Sequence, residues 1–198
     1  MSAAELHSTR LRIRQWERRD DTTADRWPPY NEPLDQLWNL PRPFTAGNWN
    51  SFGEFGVRRS WAVDDMHGTL MGRISLREID NRRHEARLGI TFGAPFVGRG
   101  LGTEALAIFL EHFFGELGFS AMLLDVAAPN IRAVRCYDRL GFRQISSDWR
   151  EAGMLFDRHQ LDQPRFQHLR QYFREGQRGV WVEFFEMRLD RDSWDARV

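Results

Sequence analysis

A mixed α/β fold, a twisted sheet of six or seven strands flanked by about four helices, is predicted by three features of the sequence. The first half alternates apolar and polar residues with a period of two, the mark of half-buried strands. At the centre a β-like run, Leu88-Gly89-Ile90-Thr91-Phe92-Gly93, passes through a glycine-rich loop into a long helical stripe. A second strand–helix pair follows about 30 residues on, so the sheet is expected to be antiparallel at the start and parallel in the middle.

Each element has a local reason. Residues 1–8 are polar and read as a frayed terminus. Thr9 to Trp16 is a strand, with Leu11 and Ile13 on one face and Arg10, Arg12 and Arg14 on the other. Asp20-Asp21-Thr22-Thr23 can cap a first helix, which Pro28 and Pro29 limit. Residues 27 to 50 are rich in proline and bring Trp27, Tyr30, Trp38, Phe44 and Trp49. Val57 to Val63, Thr69 to Ile79 and Glu85 to Phe92 form a meander, joined by the turns Asp64 to Gly68 and Asp80 to His84. The helix from Leu101 to about Leu117 is expected to end at Gly118. Ala121 to Ala127 is a short apolar strand. Asn130 caps the next helix, in which Ile131, Val134, Tyr137 and Leu140 keep one stripe until Gly141. Gln144 to about Arg150 and Val180 to Leu189 are the last strands. The roughly thirty residues between them exceed what a hairpin needs. Within them Gln163 to Arg174 places Phe166, Leu169, Tyr172 and Phe173 at helical spacing. Residues 1–198 are therefore read as one domain with a helical insertion at about 151–178.

Composition narrows the function. Hydrophobic content of 41% supports a real core, and a formal net charge of zero gives no reason to expect a nucleic-acid partner. No apolar run approaches membrane-spanning length and the N-terminus is not signal-like, so a cytoplasmic, bacterial protein without a membrane partner is expected. The one cysteine, Cys136, excludes an internal disulfide and a cysteine-rich metal site, and no metal is expected. All 28 basic residues are arginine, as a GC-rich genome produces, so the chain has no lysine of its own to acetylate.

The loop Phe96-Val97-Gly98-Arg99-Gly100-Leu101-Gly102-Thr103 has glycines at alternate positions ahead of a helix. Glycine permits positive φ and close approach to backbone. The helix start offers unpaired N–H groups and a positive dipole end, which suit a phosphate or diphosphate. Two familiar loops fail on spacing. A dinucleotide fingerprint counted from Gly98 needs glycine where Thr103 stands, and a P-loop counted from Gly93 needs lysine and a hydroxyl where Arg99 and Gly100 stand.

Residues 85–143 instead resemble the coenzyme A-binding core of the GNAT superfamily of N-acetyltransferases, in its RimJ/RimL-like branch. Gly98-Arg99-Gly100-Leu101-Gly102-Thr103-Glu104-Ala105-Leu106 is similar to that branch's pyrophosphate loop and the helix it opens. Val126 to Phe142, with Asn130 opening a helix, Tyr137 two turns in and Leu140-Gly141-Phe142 closing it, is similar to the second signature. The superfamily loop usually begins with Gln or Arg, where this chain has Val97.

The resemblance implies acetyl-CoA as co-substrate and direct transfer of an acetyl group to a primary amine, on a small molecule or a protein N-terminus. It also allows a homodimer. It implies cofactor contacts at Phe92, Gly93, Val97, Gly98, Arg99, Gly100, Leu101, Gly102, Thr103, Asn130 and Arg135, with the pantetheine arm inserted beside the strand that ends at Phe92. It gives Tyr137 the role of general acid toward the leaving thiolate. Glu85 is the first candidate for general base, with His84 beside it. Thr103 either bonds a phosphate or caps its helix. Cys136 reads as a small buried hydrophobe rather than an acyl carrier. The aromatic residues of 27–50 either wall the acceptor site or plug the edge of the core. The insertion either narrows the acceptor pocket or is a solvent-facing or dimer-contact elaboration. The alternative of another class is a non-catalytic acyl-CoA-binding or regulatory module on the same fold.

Overall fold

The computed structural model describes residues 5–30, 37, 59–153, 156–176 and 179–197. The strands are β1 (Leu6–His7), β2 (Leu11–Gln15), β3 (Arg59–Asp65), β4 (Leu70–Asp80), β5 (Glu85–Phe92), β6 (Ala121–Ala127), β7 (Arg143–Glu151), β8 (Phe173–Gly176) and β9 (Gly179–Asp190). Four α-helices are present among the described residues: α1 (Arg18–Ala24), α2 (Leu101–Phe114), α3 (Ile131–Leu140) and α4 (Arg191–Asp195). None is long and apolar enough to cross a membrane.

All nine strands join one sheet in the order β1-β2-β3-β4-β5-β6-β9-β7, with β8 also on β9. Among the described residues only β5 and β6 are parallel neighbours. The antiparallel meander and the central parallel pair are therefore as the alternation predicted. The sheet is larger than expected because the two-residue β1 and the four-residue β8 extend it.

α2 lies across one sheet face. Ala105, Leu106, Phe109, Leu110 and Phe113 are fully buried there, in one core with Ile74, Leu76, Leu88, Leu124 and Met187. Each of these side chains except that of Ala105 contributes roughly 1.5–3 kcal/mol on burial. Phe113 stacks on Phe119 with ring centroids 4.5 Å apart, which holds the end of α2 to the chain that enters β6.

Several local expectations need correction. The terminus read as frayed is tied down from Leu6, which pairs with Ile13 as His7 does with Arg12. α2 ends at Phe114, not near Leu117. The chain then runs through a looser turn, in which the Leu117 N–H bonds five residues back to His112, before Gly118 takes φ +73°. Asp20 does not cap α1 from outside: it sits inside the first turn and accepts the Glu17 N–H at 2.8 Å. The insertion is not α-helical. It forms 3-10 turns at Arg158–Asp162 and Pro164–Tyr172, after which Phe173 enters β8. α4 was not anticipated; Trp194 anchors it, donating to Glu111 at 3.2 Å. Trp38, Phe44, Trp49 and the start of the strand at Val57 lie outside the described residues.

Candidate functional site

The site begins where β5 and β6 part. They pair at Glu85↔Ala121, Ala86↔Met122 and Arg87↔Leu123 and no further. On its other side β5 continues along β4 to Phe92, and the Gly93 N–H bonds Met71 O at 2.9 Å. In an antiparallel ladder alternate residues bond across. Gly89, Thr91 and Gly93 therefore face β4, while Ile90 and Phe92 point their backbone groups toward the gap that β6 leaves. Among the described residues that gap is an open strand edge inside the sheet. Its outer end is closed by two residues of the N-terminal aromatic region: Tyr30 donates its hydroxyl to the Phe92 carbonyl, and the Trp27 ring covers Gly93. A Cβ on Gly93 would stand 2.9 Å from that ring, so the position requires glycine.

The loop follows directly. Gly98 and Gly100 take φ +76° and +77°, on either side of the exposed Arg99. Such alternation turns successive N–H groups toward one concave side. The first intrahelical bond of this end runs from the Glu104 N–H to Gly100 O, and no side chain caps Gly100. The N–H groups of Leu101, Gly102 and Thr103 are thus left for a ligand. Val97 packs against the main core, which anchors the loop by apolar contact where a polar residue is usual. A diphosphate fits this cradle, and an extended arm fits the open edge behind it.

α3 forms the opposite wall. Asn130 caps it, Oδ1 accepting the Ala133 N–H at 3.2 Å. Thr103 neither caps α2 nor faces outward: its hydroxyl donates to Cys136 Sγ at 3.1 Å, which fastens the first turn of α2 to α3. Arg135, next to Cys136, is exposed. Burial pushes the Cys136 thiol up, against the smaller opposing effects of Thr103 and Arg139, so the sulfur is a poor nucleophile at neutral pH. Tyr137 is buried edge-on against Phe142, centroids 5.7 Å apart, and burial raises its hydroxyl well above the usual tyrosine value. It therefore keeps its proton across the neutral range.

Glu85 and His84 are not brought to the open edge. Glu85 lies on the closed rungs of β5 and is bound to Arg188 at 2.9 Å. His84 is exposed in the preceding turn, at φ +53°.

A charged cluster at the parting point was missed. Asp125, on β6, accepts from Arg87 (2.9 Å), Arg77 (3.0 Å) and Arg150 (3.2 Å). Arg87 also bonds Glu78 at 2.9 Å and Glu186 at 2.7 Å. Burial raises the Asp125 carboxyl, but the three arginines outweigh it and hold the group below the usual carboxylate range. The partners come from β4, β5, β7 and β9, so no local spacing announces them.

Residues 10–143, well over half of the chain, match the acetyltransferase (GNAT) domain family. The chain belongs to that family. Within this GNAT domain the two segments that carried the resemblance meet physically, at the Thr103–Cys136 contact. The spermidine N(1)-acetyltransferase of Vibrio cholerae is 27% identical over 114 residues, 58% of this chain and 61% of the relative. A kanamycin resistance protein of Rhizobium radiobacter is 33% identical over 51 residues, 26% of this chain and 47% of the relative. The chain thus spans under two thirds of either curated relative. Among solved structures, that of spermidine N-acetyltransferase from Vibrio cholerae in complex with CoA and spermine aligns at TM-score 0.69 and 19% identity, covering 94% of this chain and 99% of that one. A dodecameric structure of spermidine N-acetyltransferase from the same organism aligns at TM-score 0.65 and 17% identity, covering 96% and 99%. These likenesses show the GNAT fold.

Proposed function

We propose that the chain is an acetyl-CoA-dependent N-acetyltransferase that moves an acetyl group directly to a primary amine. The observation that carries this reading is the continuity of a phosphate-type glycine cradle with an unpaired strand edge between β5 and β6. Acetyl-CoA, when bound, supplies the thioester carbon that the amine attacks. In this reading the N–H groups from Gly98 to Thr103 hold the diphosphate, and the backbone groups of Ile90 and the N–H of Phe92, whose carbonyl is taken by Tyr30, align the pantetheine arm. Asn130 has its amide nitrogen left over from capping for a further contact with that arm. Holding two reactants in line is worth roughly 7–11 kcal/mol. As the C–N bond forms and the C–S bond breaks, Tyr137 gives its phenolic proton to the thiolate; the proton shed by the amine returns through solvent. A general base is then not required, and Glu85 retains that role only if Glu85→Gln changes kcat/KM and its pH profile.

Calorimetric titration with acetyl-CoA, with ATP and NAD as controls, tests the donor site. Micromolar binding of acetyl-CoA alone supports it, and failure to bind in a folded sample overturns it. Turnover on an amine panel separates an enzyme from a binding module.

For the acceptor we favour a small, partly apolar amine over a polyamine. Trp27 and Tyr30 close the outer end of the open edge with aromatic rings, and Glu78, Asp125 and Glu186, toward its inner end, are each bonded to arginine. A protein N-terminus belongs in the same panel, since the sequence segments at 98–106 and 126–142 suggest the RimJ/RimL-like branch. Higher kcat/KM for spermidine than for monoamines would reverse this preference. The insertion is proposed to roof the acceptor side. Leu161, Phe166, Leu169 and Phe173 build a second core over Val182, and Ile131 and Leu37 pack against it. Deleting residues 158–176 is expected to change acceptor KM and leave acetyl-CoA affinity close to wild type; unchanged acceptor KM would remove the roof.

A further inference from the structure

The turn between β1 and β2 reaches across the fold to the glycine loop. Ser8 Oγ donates to Glu104 Oε1 at 2.6 Å, and Arg10 Nε donates to Glu104 Oε2 at 2.7 Å, joined on that oxygen by Arg10 Nη2. Arg10 Nη1 lies 3.4 Å from the carbonyl oxygen of Arg99. A Cβ on Gly100 would stand 3.9 Å from Arg10 Nη2. The turn is itself closed, because Ser8 Oγ accepts the Leu11 N–H at 3.0 Å. Glu104 lies in the first turn of α2, directly behind the cradle.

We propose that Arg10 is a positioning residue for the donor diphosphate, holding the Glu104 side chain and the Arg99 carbonyl with one fork and so fixing the loop in its cradle shape. The inference rests on reading this loop as the donor site. All three guanidinium nitrogens face partners within the protein, which argues for an indirect role. A loop with two positive-φ glycines has conformational freedom that binding would otherwise have to remove. A carboxylate in the first turn of a phosphate-binding helix repels its ligand unless its charge is matched. Here Arg10 matches it: burial alone would raise the Glu104 carboxyl, and the bonds from Ser8 and Arg10 hold it low.

The test compares acetyl-CoA with S-acetylpantetheine, a donor that lacks the diphosphate. The wild-type protein should prefer acetyl-CoA by about tenfold or more in kcat/KM. Equal values would overturn the donor-loop reading itself, separately from the role of Arg10. Given that preference, Arg10→Gln should raise KM for acetyl-CoA by about tenfold with kcat and S-acetylpantetheine turnover changed less than about twofold. Arg10→Lys should resemble Arg10→Gln, because an ammonium does not span both anchors; rescue by lysine would overturn the proposal in favour of simple charge. Glu104→Gln carries opposite signs for the two explanations. Loss of the clamp raises KM, whereas release of Arg10 to attract phosphate directly would lower it and overturn the proposal. Should Arg10→Gln fail to fold, Ser8→Ala removes the hydroxyl that bonds Glu104 and accepts the Arg10 and Leu11 N–H groups, leaves the Arg10 fork in place, and is expected to raise KM by about two- to threefold. No change in a folded Ser8→Ala protein would also count against the clamp.

Discussion

Arg14, Asp20 and Asp64 are three charges removed from water together. Arg14 bonds both oxygens of Asp20 at 2.8 Å and reaches Asp64 Oδ2 at 2.8 Å, tying α1 to β2 and β3. Arg14→Leu leaves the buried Asp20 carboxylate without its arginine while Arg12 still bonds Asp64 at 3.0 Å, and a loss of about 3–5 kcal/mol is expected in urea denaturation. Burial raises the Asp20 carboxyl, but the Arg14 hydrogen bond and the Glu17 N–H overcome this and leave it below its ordinary value. A carboxylate lowered in the folded state stabilises above the unfolded value of about 4 and loses that contribution as pH falls further. Thermal melting should therefore weaken below about pH 4, and Asp20→Asn should flatten that part of the profile. Alternation had placed Arg14 on the polar face of its strand beside Arg10 and Arg12. Its burial was not legible because one partner lies 50 positions away. The inward stripe that carries Tyr137, seven residues after Asn130, was legible, but the environment that keeps it protonated was not. Tyr137→Phe should lower kcat by about 10²-fold or more while CoA affinity, measured by calorimetry, stays near wild type.

Among the elements, β5 was read to the residue, because both its ends are marked by turn chemistry at Asn81 to His84 and at Gly93 to Pro95. That it leaves its parallel neighbour after three rungs depends on partners the sequence does not order, and only the family resemblance raised it. The insertion shows the converse failure. Phe166 and Leu169 do face a common core, as helical spacing required, but Pro164 opens a 3-10 turn and Phe173 leaves to pair with Val182. Apolar spacing of three serves either helix. Phe166 is nearly fully buried in that second core. Phe166→Ala should cost about 3–5 kcal/mol, read most directly as lost hydrogen-exchange protection across 158–176 with protection of α2 retained.

At the scale of the whole molecule, zero net charge conceals an ordered arrangement of opposite charges. One carboxylate, Asp125, joins arginines from β4, β5 and β7 and so bridges four strands at the point where the sheet divides. Asp125→Asn is expected to cost about 2 kcal/mol in urea denaturation, the scale of lost charge-assisted bonds. The effect should shrink at high salt less than for an exposed pair, since Asp125 is mostly buried.

The parting of β5 and β6 has a metric consequence. From the last closed rung at Arg87 to the end of β5 at Phe92 is five residues, a run of about 17 Å at strand rise. The glycine cradle marks one end of this interval and the Arg87–Asp125 pair marks the other, so under the proposed function the slot would act as a ruler. On that reading a thioester reaches the acceptor side only when its carrier is long enough to span it. S-acetylpantetheine should be turned over, and S-acetylcysteamine, with the same thioester on a stub, should not, however high its concentration.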